Sequence, residues 1–243
     1  MRLTLTIIAL IAAVPLGGLL VAFVDKSKND QLIKLLLAFS GGFLLSLAFI
    51  HFIPELYEHS EIHVGFSILI GFLVQLFLEF FSGGIEHGHT HATKGAKIPI
   101  ALVIALSAHA LLEGIPLGTQ FGGSTIATNH HHGADQGMLL GILFHRIPVA
   151  IALATVLIAS KIEKKMVWLL LGIFAITTPI GILIGKSTAS SLEFDFDIIL
   201  AIVVGMFLHI STTIIFETSE NHKFNFIKLL AIVGGGGLAF FIH

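Results

Sequence analysis

Long apolar runs of similar length alternate along the chain with short polar connections. The runs fall at about 3–24, 34–56, 63–81, 97–119, 137–160, 166–186, 196–218 and 226–243. A helix needs roughly 20 consecutive apolar residues to cross the hydrocarbon core of a bilayer. Each run therefore predicts one transmembrane helix, eight in all. Backbone groups in lipid have to be satisfied inside their own segment. The short alternating segments of a membrane barrel are not seen, so helices are the expected element throughout. The first run, Leu3 to Phe23, is longer than the apolar part of a signal peptide and carries no small-residue cleavage pattern at its end. It reads as the first span. The expected fold is an all-α membrane protein, a single transmembrane domain over residues 1–243.

Basic residues in the connections give an orientation, because cytoplasmic loops carry the excess of Lys and Arg. Lys26, Lys28 and Lys34 follow or edge the first span, Lys94 and Lys97 the third, Lys161, Lys164 and Lys165 the fifth, and Lys223 and Lys228 the seventh. The opposite connections hold Glu58, Glu61, Asp135, Glu193 and Asp195, with Lys186 as their only base. Both termini are then expected outside. Two connections are rich in histidine, His87, His89 and His91 on the cytoplasmic side and His130, His131 and His132 on the other. Such tracts can capture metal without a packed site.

A short internal repeat adds to the topology. Val14-Pro15-Leu16-Gly17 resembles Thr178-Pro179-Ile180-Gly181, and Gly41-Gly42-Phe43-Leu44 resembles Val204-Gly205-Met206-Phe207-Leu208. Spans one to three would then repeat as spans six to eight, with two spans between them, a 3+2+3 arrangement that inverts the second copy. Inverted repeats of this kind build many secondary transporters.

Composition agrees with a lipid solvent. The chain is 55% hydrophobic and 12% charged, against about 25% charged in soluble domains, and its mean hydropathy is +0.97. The formal net charge of -2 leaves no basic face, so nucleic acid is not an expected partner. There is no cysteine, hence no disulfide framework and no thiolate metal site. Metal chemistry would have to use carboxylates and the 14 histidines.

Ionisable groups inside a membrane are costly and point to function. In span four, His109 and Glu113 stand one helical turn apart on one face. A neutral imidazole with a carboxylate suits a borderline divalent ion such as zinc or ferrous iron. Pro116 cannot donate to the carbonyl of Leu112, and Gly114 and Gly118 allow another helix to come close. Span five carries His145, Arg146 and Pro148 at similar depth, so His109, Glu113 and His145 can converge as three ligands. Arg146 stays charged and needs a partner, for which Glu113 is the first candidate. The same pair also fits a bland reading, a His–Glu hydrogen bond holding two helices together. Span two repeats the spacing with His51 and Glu55 around Pro54, a mouth of the pathway or a polar helix end. Span seven offers His209 among hydroxyls, with Glu217, Glu220 and His222 beyond it.

These segments together resemble the ZIP (Zrt-, Irt-like) metal transporters. Span four, with His109, Glu113, Gly114 and Gly118, is similar to the family's His-Asn-x-x-Glu-Gly helix. Span five is similar to its His-x-x-Pro helix, span two to its His-x-x-Pro-Glu segment, and Thr178, Pro179 and Gly181 of span six also fit. The resemblance implies uptake of a divalent ion into the cytoplasm, zinc most often, with iron or manganese as alternatives. The ion would be bound only in transit, with no cofactor required. It also implies alternating access, with spans four and five moving against the repeat helices. Carried over, the first metal site takes His109, Glu113 and His145, with His51, Glu55 and His209 as further metal-handling candidates. Where the family places groups of a second site, this chain has Ala110, Arg146 and Val149. Arg146 is therefore expected to stand in for the second cation. The competing readings are an intramembrane metal-dependent hydrolase, since three ligands and an open position also describe a catalytic zinc site, and a metal sensor that binds without transporting. The expected location is a bacterial inner (plasma) membrane. Glycine-rich faces such as Gly234 to Gly237 would admit a second copy as a homodimer.

Overall fold

A computed structural model describes residues 3–23, 26–59, 63–82, 99–122, 132–189, 196–217 and 226–242. His87, His89, His91, His130, His131, Glu61, Glu193, Asp195, Glu220 and His222 lie outside these, as do the side chains of His132, Asp135 and Glu217. The described residues form nine α-helices and no strand. They are α1 (Leu3–Phe23), α2 (Lys26–Leu47), α3 (Ile53–His59), α4 (Val64–Ser82), α5 (Ile100–Thr119), α6 (His132–Ala159), α7 (Lys164–Thr188), α8 (Phe196–Glu217) and α9 (Phe226–Phe240). A π-helical turn, Ala48–Phe52, joins α2 to α3, so the two run on as one span. The Ile53 amide reaches back to the carbonyl of Ala48 there. Pro54 follows at once and has no amide hydrogen to continue the ladder.

The fold class is the expected one, an all-helical membrane protein. Seven spans are long and apolar enough to cross a bilayer, and α9 is apolar but shorter at 15 residues. At 1.5 Å per residue it rises about 22 Å. α2 begins at Lys26, so a basic stretch expected as a connection is already helical. Large side chains left outside, such as Phe66, Leu69, Leu73, Phe77 and Phe80 on α4, would be an aggregating patch in water. In lipid they are the outer surface. The opposite face of α4 turns Ser67 and Gln75 inward, both buried.

Helices do not associate in lipid by a hydrophobic force, so close backbone approach at small residues does the work. α5 and α7 make the most extensive contact. A Cβ added at Gly118 would meet the Ile182 carbonyl oxygen at 2.1 Å, and one at Gly185 would meet that of Ile115 at 2.0 Å. Gly114 and Gly181 face backbone in the same reciprocal way one turn along. α2 meets α9 through Gly42 and Gly235, and α4 meets α8 through Gly71 and Gly205. Gly17 brings α1 against the backbone of α6. These pairings map onto one another when α1 is exchanged with α7, α2 with α8, α4 with α9 and α5 with α6, the exchange the repeat calls for.

The same contacts divide the helices into two bodies. α1, α5, α6 and α7 form one; α2, α3, α4, α8 and α9 form the other. Inside each, several glycines meet carbonyls, although Gly18 and Gly41 meet the side chains of Leu171 and Ile214. Between them, at α2 and α6, the atoms nearest a Cβ added at Gly141 belong to the side chains of Leu44, Leu47 and Phe43. Side-chain contacts of that kind can re-pack, whereas a backbone contact cannot.

The substitution Gly118→Ala tests the α5–α7 seam. It is expected to destabilise the protein by about 1–3 kcal/mol, since Ala's helical advantage of ~1 kcal/mol is smaller than the overpacking cost. Gly172→Ala, on an open face of α7 with nothing within 4 Å, is expected to be neutral or mildly stabilising. Thermal unfolding in detergent of the two variants beside the parent reads the difference.

Candidate metal centre

Three of the expected site residues come together. His109 and Glu113 project from α5 and His145 from α6, each with 3% or less of its surface exposed. One donor atom from each lies within 4.8 Å of the others, and no other such group is formed among the described residues. The His109 and His145 rings meet edge to face with centroids 5.9 Å apart. His109 Nε2 stands 2.8 Å from Glu113 Oε1, one turn along the same helix. Two lone-pair atoms held this close in an apolar interior suit a shared cation.

The orientation of His109 comes from a residue that sequence reasoning missed. Gln75, fully buried on α4, faces His109 with its Oε1 2.9 Å from Nδ1. A signal was available. Gln75 and Glu79 are polar residues one turn apart in an otherwise apolar span, the spacing that singled out His109 and Glu113.

Arg146 interacts electrostatically with Glu113 but makes its hydrogen bonds to α7. Its Nη1 donates to Thr178 Oγ1, and its Nη2 to the carbonyls of Phe174 at 2.8 Å and Ala175 at 3.2 Å. The guanidinium also lies over the Phe174 ring, 4.7 Å from its centroid. The reason is Pro179. Lacking an amide hydrogen, it leaves the Ala175 carbonyl without its helical donor, and the arginine takes up that acceptor. Thr178 in turn donates to the Ala110 carbonyl at 2.9 Å, beside His109. One hydroxyl thus ties α6, α7 and α5 together. A guanidinium only 2% exposed faces a desolvation cost of several kcal/mol. Charge-assisted hydrogen bonds at about 1.5–3 kcal/mol each offset it. Ala110 and Val149, both buried, present only apolar side chains.

The remaining candidates stand apart from this cluster. His51 Nε2 lies 3.2 Å from the Ala239 carbonyl of α9, and Glu55 is buried in the first turn of α3. His209 hydrogen-bonds through Nε2 to Glu79, which sequence reasoning also missed. Its ring sits edge-on to Phe72, with centroids 4.7 Å apart. Its neighbours Thr212 and Thr213 bond back to carbonyls of their own helix.

Fold and cluster together define a multi-pass integral membrane protein with a buried polar site of metal-binding type. A family model described as ZIP Zinc transporter matches residues 2–100 and 85–243, and the chain belongs to that family. Among curated relatives, it is 30% identical over 177 residues to Protein zntD of Dictyostelium discoideum, covering 64% of this chain and 24% of that protein. It is 25% identical over 130 residues to Zinc transporter ZIP9 of Xenopus tropicalis, covering 51% and 40%. It is 25% identical over 181 residues to Zinc transporter 3 of Arabidopsis thaliana, covering 64% and 53%. The chain thus spans from about a quarter to about half the length of these relatives. The family is one of transporters, not of enzymes, so the hydrolase reading is not favoured.

Thr178→Val removes both the acceptor for Arg146 and the donor to Ala110 at nearly constant volume. It is expected to cost about 1–3 kcal/mol, because a buried charged group loses a partner. Thr177→Val, whose hydroxyl bonds only to the Phe174 carbonyl of its own helix, is expected to cost less than about 1 kcal/mol. Unfolding midpoints of the two variants give the comparison.

Proposed function

We propose that this protein carries a divalent transition-metal ion across the membrane toward the cytoplasm through one intramembrane site made by His109, Glu113 and His145. The observation that carries the reading is the convergence of these three buried donors within 4.8 Å. Two imidazole nitrogens and a carboxylate oxygen suit zinc first, with iron and manganese behind it. Three protein ligands leave a fourth position for water, which an ion in transit needs in order to exchange partners. The printed names of relatives such as Zinc transporter ZIP9 and Zinc transporter 3 favour the same ion.

A single site is the natural reading of the second position. Ala110 and Val149 offer no ligand there, and Arg146 places a fixed positive charge within electrostatic range of Glu113. Like charges that close oppose a second divalent ion. His51 and Glu55 on one side, and Glu79 with His209 on the other, are further stations for the ion. The division into two bodies supports alternating access in which α1 and α7 travel with α5 and α6, and the softer side-chain interface re-packs. Outward-facing Gly234 and Gly237 have nothing within 4 Å, so α9 has a face open to a second copy in a homodimer. A plasma-membrane location goes with uptake into the cytoplasm.

Two measurements test this. Zinc flux into proteoliposomes is expected for the parent and to fall at least about tenfold, the scale on which even outer-shell changes act, in His109→Ala and Glu113→Ala. Binding without flux in the parent would instead make the protein a sensor. Metal analysis is expected to give one core ion per chain. Two core ions in the parent would defeat the single-site reading. Arg146→Ala combined with Ala110→Asn and Val149→Glu is expected to move the stoichiometry toward two.

A further inference from the structure

Gln75 brings an amide into contact with the candidate ligand His109, and it reaches it from the other body. It is 0% exposed, on a helix whose outer face is lipid-facing phenylalanine and leucine. Burying an amide in such a place is costly unless it has a task. Its Oε1 meets His109 Nδ1 at 2.9 Å, while its Nε2 makes no hydrogen bond.

Two proton arrangements are open to a neutral imidazole. If Nε2 carried the proton, it would have to donate to Glu113 Oε1. Nδ1 would then turn its lone pair toward the Gln75 carbonyl oxygen 2.9 Å away, a repulsive contact. If Nδ1 carries the proton, it donates to the Gln75 carbonyl oxygen at a normal length, and the Nε2 lone pair is free to bind a cation together with Glu113. The second arrangement satisfies the geometry and the first does not.

We infer that Gln75 is the positioning residue of the metal site, fixing His109 as the Nδ1–H tautomer so that its Nε2 lone pair faces the ion shared with Glu113 and His145. The inference rests on the metal-site reading above. The chemistry of the acceptor also matters. A metal-bound histidine commonly gives its other N–H to a carboxylate or a carbonyl, and the outer partner sets ligand basicity and affinity. A carboxylate would raise the basicity of His109 and hold the ion tightly, as a resident metal requires. A neutral amide orients the ring without that added charge, which suits an ion that must leave.

The test uses the full chain in lipid nanodiscs with ¹⁵N-labelled histidine, first metal-free and then titrated with cobalt, whose visible absorption reports ligand geometry. The ring-nitrogen shifts of His109 are expected to show the proton on Nδ1 in the parent and in Gln75→Glu, and to lose that preference in Gln75→Met. Cobalt affinity is expected to fall about 10–100-fold in Gln75→Met. In Gln75→Glu it is expected to rise, with slower zinc flux. A parent with the proton on Nε2, or a Gln75→Met variant within about twofold of parental cobalt affinity, would overturn the inference. Should Gln75→Met not fold, Gln75→Glu decides: affinity equal to or below the parent overturns it. A parent that binds no cobalt at all defeats the metal-site reading instead, and the metal-free nitrogen shifts keep the two failures apart.

Discussion

Along the seam of α5 and α7, glycines of each helix lie against carbonyl oxygens of the other, with no side chain between. The polar centre depends on that approach. It brings Thr178 to the Ala110 carbonyl, one residue from His109, and within reach of Arg146 on α6. A bulkier seam would move α7 away, and the arginine would lose the hydroxyl and carbonyls that accept its protons. The ligands on α5 would then face an unsatisfied cation in an apolar interior. Small residues at a helix contact and charged residues in the buried cluster are here one constraint.

Arg146 shows how the chain handles a charge it cannot shed. Lipid offers no water to accept from the guanidinium, and α7 is interrupted at Pro179 where acceptors are needed. A proline that would weaken an isolated helix therefore supplies an oxygen to its neighbour, and the Phe174 ring covers the guanidinium face. Positive charge is present beside Glu113 whether or not an ion is bound. On the proposed reading, an ion arriving at this site would compete with a standing cation. That favours weak, exchangeable binding over permanent residence.

Much of this was legible in the sequence. Hydropathy placed the spans because lipid admits only internally satisfied backbone, and the i, i+4 spacing of His109 and Glu113 marked one face of one helix. His145 was recognisable by its depth and its nearby proline. The partners of Arg146 were not, because the guanidinium hydrogen-bonds to α7 and not to Glu113, the first candidate the sequence offers. Two of its three acceptors are backbone carbonyls, which carry no residue signature, and the third is the Thr178 hydroxyl. Gln75 and Glu79 escaped for another reason. Attention to charged groups passes over an amide, and a carboxylate near the end of a span reads as interfacial. Only the packing of α4 against α5 and α8 shows that Gln75 meets His109 and that Glu79 meets His209.

The hydrogen bond between Gln75 and His109 joins a residue of one helical body to a residue of the other. Any sliding of the bodies has to break it. If the bond improves His109 as a ligand, ion affinity differs between the docked and displaced arrangements, and thermodynamic reciprocity follows. Whatever free energy docking adds to ion binding, the bound ion adds to docking. One amide then sets how strongly cargo occupancy biases the conformational equilibrium, and so how readily the empty protein resets.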